Sequence, residues 1–251
     1  MDYYCFHYHL FINFIGIMFI MTQKITQKTR FFEIEYDPED GSVKDLFNPI
    51  NKAENKYFKI FKIKPNKFRI VIVYSRREFD KLSGFKTADW VDGHFISNKL
   101  IVFSPSIRKK YIKPWLGRYY SYNAFFDHEI NHLFYISLVG DYNPVWLSEG
   151  YATYMMGQWK PKIAKKDFMK TKNPERFLFY RYIKRKYYKF AHEFYSLSFY
   201  VVKYLIEKYG HEKILTLIYK FSKTPNKKCL EGEFKELFGI SIKEAVRNSI
   251  I

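Results

Sequence analysis

Six consecutive residues, Asp127-His128-Glu129-Ile130-Asn131-His132, constrain this chain more than any other stretch. His128 and His132 are four positions apart. On a helix that spacing puts both imidazoles on one face, a turn apart, able to hold one metal ion. Glu129 adjoins the first histidine, where a carboxylate can take a proton from a water at the metal. Catalytic zinc usually takes three protein ligands plus water, so two histidines leave the set one short. Glu149, in Trp146-Leu147-Ser148-Glu149-Gly150, is the natural third ligand. The 17 positions from His132 to Glu149 let the first helix finish and the turn cluster Gly140-Asp141-Tyr142-Asn143-Pro144 reverse the chain. About one turn of an antiparallel helix then brings Glu149 round to face the histidines.

Plainer readings compete. Two histidines can fall on one polar helix face by chance, and Glu149 can be a carboxylate favoured by a helix N-terminus. A di-iron bundle would need Glu-x-x-His on two helices, and the chain has no copy besides Glu129-x-x-His132.

The pattern His128-Glu129-x-x-His132, then Trp146-Leu147-x-Glu149-Gly150-x-Ala152, then Tyr195, resembles the gluzincin metallopeptidases, the Peptidase MA-like group related to thermolysin and the zinc aminopeptidases. The resemblance covers roughly residues 67–245. It implies a zincin-like α+β fold, with a small mixed N-terminal β-sheet, an active-site helix and an α-helical C-terminal half. It also implies one Zn2+ per chain held by His128, His132 and Glu149, Glu129 as general base, and a peptide or protein substrate. Tyr195, opening the segment Phe194-Tyr195-Ser196-Leu197-Ser198-Phe199, would stabilise the tetrahedral intermediate. The aminopeptidase branch carries Gly-x-Met-Glu-Asn ahead of its metal motif. Here the corresponding region reads Gly93-His94-Phe95-Ile96-Ser97, which argues against an aminopeptidase.

Composition bounds the alternatives. A hydrophobic fraction of 47% over 251 residues fits a globular chain with a substantial core. The two cysteines, Cys5 and Cys229, sit far apart and outside any Cys-x-x-Cys pair, so a metal site must use nitrogen and oxygen. The net charge of +18 could serve a polyanion, but no helix-turn-helix, zinc-finger or RNA-binding signature accompanies it, so no specific nucleic acid is expected. The competing class is a non-catalytic zinc-binding or basic polyanion-binding protein on the same fold. The intact base at position 129 argues against it.

Residues 1–24 form a hydrophobic N-terminal segment: a signal, an anchor, or sequence upstream of the true start. The apolar run is short for a spanning helix, and no Lys or Arg precedes it. Residues 6–21 are a candidate for membrane association. An exported or membrane-associated protein is expected, or a cytoplasmic one if Met21 is the true start. A single catalytic domain is expected over 25–251, with a β-rich lobe to about residue 110 and a helical lobe from 111.

Strands are expected over 30–36, 68–74 and 99–103; the resemblance implies that the last is the sheet edge beside the cleft, where an extended substrate could pair with it, and a core strand with no substrate role is the equal alternative. Helices are expected over 51–61, 76–82, 121–139, 191–208, 212–221 and 234–246. The basic stretch 160–189 reads as a pair of solvated amphipathic helices, with Phe177, Phe179, Tyr180, Tyr187 and Tyr188 on their buried faces. A place for this stretch at the cleft is the other reading.

Overall fold

The computed structural model describes residues 23–113, 120–140, 144–158, 160–178, 188–223 and 227–251. The apolar run at residues 6–21, the positions Phe179, Tyr180 and Tyr187, and the side chain of Tyr188 lie outside what it describes. Among the described residues, no helix is long and apolar enough to cross a membrane.

Strands β1 (Ile25–Lys28), β2 (Glu33–Tyr36), β3 (Arg69–Val73), β4 (Gly93–Ile96) and β5 (Lys99–Phe103) form one mixed sheet in the order β1-β2-β3-β5-β4. β3 is parallel to both β2 and β5, pairing Ile70 with Leu100 and Ile72 with Val102. β1 and β4 close the two edges antiparallel. The β-branched run of β3 is buried on both faces, as a central parallel strand should be. β5 is likewise buried from Leu100 to Phe103. The expectation that residues 99–103 form the edge therefore fails. The edge is β4, only four residues long and half-buried, joined to β5 by a tight turn at Ser97 and Asn98, with Ser97 at φ 55°. Gly93 and His94 are poor strand formers, which hid β4 in the sequence.

Each face of the sheet packs a separate core. Phe32, Ile34, Ile70, Ile72, Leu100 and Val102 join the main core. There they meet α1 (Lys44–Phe61) and α4 (Tyr122–Val139), which pack on each other. On the opposite face Val71, Val73, Ile101 and Phe103 meet Phe79 of α2 (Arg76–Ser83) and Ile112, just past the short helix α3 (Arg108–Tyr111). Phe79 and Phe103 stack nearly parallel, centroids 4.6 Å apart. The alternation of β3 and β5 thus sorts their side chains into two separate cores.

α1 begins at Lys44 and runs through Pro49. The helix thus starts seven residues before the expected 51, and Pro49, without an N–H to donate, leaves out one of its hydrogen bonds. α4 is N-capped by Ser121, whose hydroxyl accepts from the Ala124 amide, and ends at Gly140, φ 73°. α5 (Val145–Met155) then runs back against α4 and lies closely along α7 (Tyr188–Tyr209). Between them, the expected pair of helices over 160–189 is not what the described residues form. They hold only the five-residue α6 (Lys165–Met169) and a 3-10 turn, Pro174–Phe177, pinned by buried Phe168 and Phe177. α8 (His211–Lys223) follows α7 directly. The single helix expected over 234–246 is two, α9 (Lys227–Phe238) and α10 (Ile242–Ile250). Gly239 at φ 68° ends the first. Ser241 and Glu244 open the second with a reciprocal capping box.

Candidate metal centre and cleft

α4 is buried nearly all round: Phe126, Ile130, Leu133, Phe134 and Tyr135 are each 0% exposed. Such a helix cannot rotate or slide without opening the core, so its polar side chains are aimed by packing. His128 and His132 meet edge to face, with their Nε2 atoms 3.1 Å apart. Glu149 Oε2, on α5, lies 3.4 Å from the first and 3.3 Å from the second. All three side chains are largely buried.

The position of Glu149 depends on its neighbour Gly150. A Cβ there would fall 2.4 Å from the Ser198 carbonyl oxygen and 2.7 Å from Val202 Cγ2, both on α7. Only glycine lets α5 approach α7 this closely, so the glycine of the Trp-Leu-x-Glu-Gly segment fixes the depth of the helix that carries Glu149.

Electrostatics follow from the crowding. Burial opposes charge on the Glu149 carboxyl, but His132 and His128 outweigh it and hold the group well below the usual carboxylate range. Burial likewise pulls the His132 imidazole down, and the charge and hydrogen bond of Glu149, with Glu129, outweigh that and raise it. Burial pushes the Glu129 carboxyl up, against the pull of both histidines and with a further push from Glu149 and Asp92.

The residues suit a metal ion. Glu149 Oε2 is buried and faces the two imidazole Nε2 atoms at 3.4 and 3.3 Å. His132 Nδ1 lies 2.9 Å from Ser148 Oγ. With the proton on Nδ1, donated to that hydroxyl, Nε2 presents a bare lone pair to the cluster. Two imidazole nitrogens and one carboxylate oxygen form a zinc-type donor set. Ligands about 2.0–2.1 Å from a tetrahedral zinc lie about 3.3 Å from one another, close to the separations here. Among the described residues this is the one group of three or more His, Cys, Asp or Glu side chains drawn together in this way.

A cleft of about 150 Å³ opens beside the cluster. Its lining includes His128, Glu129 and Tyr195, so α7 brings the tyrosine singled out in sequence to the same cleft as the motif carboxylate. Tyr200, five residues on, donates instead to the Ile163 carbonyl oxygen at 3.1 Å and packs edge-on to Phe168. Edge strand β4 closes one side: a Cβ on Gly93 would meet Phe125 at 2.9 Å and the Glu129 carboxyl carbon at 3.3 Å. No described residue of the basic stretch 160–178 lines the cleft.

Several groups here escape sequence reasoning. Arg108 donates to both Asp92 oxygens, with Nε at 3.0 and 2.8 Å, and to the Tyr120 carbonyl at 3.0 Å. This pair forms a charged but internally neutral part of the cleft wall. Lys56 of α1 reaches Asp127 Oδ2 at 2.5 Å and the Met155 carbonyl at 2.7 Å, tying α4 to the end of α5. Neither pairing has a local spacing to reveal it. Ser148 had one signal, its place beside Glu149.

Fold and site together define a zincin-like α+β protein with a His-His-Glu cluster on two antiparallel helices. The Peptidase MA superfamily profile matches residues 122–246, and over that segment the chain belongs to the Peptidase MA superfamily, with the gluzincin arrangement of residues. No curated protein matches the chain. Among solved structures it is similar to an M1 zinc metallopeptidase mutant from Deinococcus radiodurans, at 12% identity and TM-score 0.49, covering 91% of this chain and 52% of that one. The same mutant bound to a Tyr-Ser-Ala substrate gives 12% identity, TM-score 0.45 and coverages of 91% and 51%. The chain spans about half the length of these structures.

Proposed function

We propose that this chain is a zinc-dependent peptidase, not an aminopeptidase, in which His128, His132 and Glu149 hold one zinc ion per chain and Glu129 is the general base. The observation that carries the reading is the convergence of three donor atoms within 4.8 Å of one another, with the Glu129 carboxylate in the cleft beside them. When bound, zinc polarises the scissile carbonyl and lowers the pKa of a water toward neutrality. Glu129 takes the proton from that water and delivers it to the leaving amine. Ser148 orients the His132 ring through its hydrogen bond with Nδ1. Tyr195 donates its hydroxyl proton in a hydrogen bond to the developing oxyanion. The exposed backbone edge of β4, led by Gly93, offers an extended peptide a ladder to pair with. The missing Gly-x-Met-Glu-Asn segment argues against removal of an N-terminal residue.

Two measurements on one preparation test this. Elemental analysis after reconstitution should give about one zinc per chain for the wild type and for Glu129→Gln, and much less for Glu149→Ala. On an unstructured protein substrate Glu129→Gln should lose roughly 10² to 10⁴ in rate. A chain that retains no zinc ends the proposal, and equal cleavage by wild type and Glu129→Gln assigns the activity to a contaminant.

A further inference from the structure

Immediately beside the catalytic cleft lies a second recess of about 340 Å³, and its walls are basic. It is lined by Arg76, Lys109, Lys110 and Lys113, four cations against the single carboxylate of Asp89. The two cavities share a wall: Ile112 lines both, Asp89 leads directly into the cleft residues Trp90–Gly93, and Lys109 follows the cleft residue Arg108. A peptide lying across the cleft therefore reaches the recess within a few residues.

The two cavities differ in what they can recognise. The cleft's own charged wall pair, Arg108 and Asp92, is mutually neutralised, and the surfaces around it, from Trp90, Val91, Ile112, Phe125 and Met156, are apolar. That wall pair adds no net charge to the part of the cleft that borders the recess. In the recess, Arg76 is held in place by bonds to Thr87 Oγ1 and to the Tyr111 carbonyl, each at 2.8 Å, and its charge is opposed by Asp80, Asp89 and Asp92. Lys113 is engaged with Asp89. Lys109 and Lys110 are exposed, and neither forms an ion pair among the described residues. Lys109 and Lys110 therefore supply the uncompensated positive charge of the recess, a setting for an incoming carboxylate.

Building on the peptidase reading, we propose that this recess is a subsite for an acidic side chain, so that the substrates are peptides carrying Asp or Glu a few residues from an apolar residue seated in the cleft. The recess is too open to desolvate an ion pair, so its effect is a preference and not an absolute requirement.

The test uses the full chain, zinc-loaded, as Glu129→Gln for binding and as wild type for cleavage. Fluorescein-labelled peptides share one aromatic residue and differ only in flanking Asp/Glu, Asn/Gln or Lys residues. At low salt the acidic peptides should bind Glu129→Gln about tenfold more tightly than the lysine set, and the gap should close near 1 M salt, where the Debye length is about 3 Å. Adding Lys109→Glu and Lys110→Glu should abolish or reverse the order, with zinc content and thermal midpoint unchanged, and Lys109→Gln with Lys110→Gln should fall between. A charge order that survives the double reversal, or no charge order at all, overturns the subsite. A short single-stranded oligonucleotide that competes better than the acidic peptides, and loses this in the double reversal, overturns it in favour of a nucleic-acid surface. Charge-ordered binding without cleavage of any peptide keeps the recess and removes the peptidase reading. Cleavage without charge order does the opposite.

Discussion

At the scale of single residues, Ser148 carries more consequence than its size suggests. Its hydroxyl is the hydrogen-bond partner of His132 Nδ1, while among the described residues His128 Nδ1 is buried without one. Removing a group that orients a metal-binding histidine typically costs 10- to 100-fold in affinity. Ser148→Ala should therefore weaken zinc binding by about that factor while the fold persists, measured by chelator competition; unchanged affinity would show that packing alone orients the ring. The tyrosines make a paired prediction. Tyr195→Phe should lower kcat by roughly 10- to 1,000-fold at unchanged zinc content. Tyr200→Phe removes the bond to Ile163 and should cost stability, about 1 kcal/mol, and not turnover. The reverse pattern in steady-state kinetics would move the oxyanion donor one helical face along α7. That His128, His132 and Glu149 lie together was an expectation of spacing, because 3.6 residues per turn and one tight reversal leave little freedom. The pairing of Arg108 with Asp92 was not: they are 16 positions apart, and only the fold of the cleft wall brings them together.

At the scale of elements, the site is a contact between helices before it is a set of ligands. Gly150 lies against backbone, the Ser198 carbonyl, which cannot swing aside as a side chain could. Gly150→Ala should cost about 1–3 kcal/mol through overpacking. It should also displace Glu149 and so reduce zinc affinity, a coupling that a surface Gly→Ala change at Gly232 should not show. Chemical denaturation with and without zinc reads both effects; a Gly150→Ala protein with native zinc affinity would mean that α5 is held elsewhere. Strong helices and the two central strands were readable because their periodicity is enforced by burial on fixed faces. Elements governed by one special residue were not. α1 starts seven residues before the expected 51 and carries Pro49 within it, Gly239 divides what reads as one C-terminal helix, and the four-residue edge strand β4 is too short to stand out.

At the scale of the whole molecule, the metal-free cluster sets a pH profile. Glu149, held low, contributes stability that is present above its ordinary value near 4.5 and lost as pH falls. His132, held high, contributes stability that is complete below its ordinary value near 6.5 and lost as pH rises through its raised value. The cluster's contribution should therefore peak between these two values in chelator, and the difference in thermal midpoint between wild type and Glu149→Gln should be largest there. Zinc binds the deprotonated imidazoles, so with zinc the difference should keep growing toward pH 8; a chelated wild type whose advantage rises above pH 7 would refute the assignment. The net charge of +18, by contrast, revealed nothing of the site, since charge alone says nothing about where a surface folds. The two-sided sheet has a further consequence. Phe79 and Phe103 anchor a small island of oily contacts that supports α2 and the base of α3, the carriers of the basic recess, while the metal-bearing helices stand on the opposite side of the same five strands. Changes in that island reach the basic recess and, through Ile112, one wall of the cleft, while the helices that carry His128, His132 and Glu149 rest on a floor across the sheet from it.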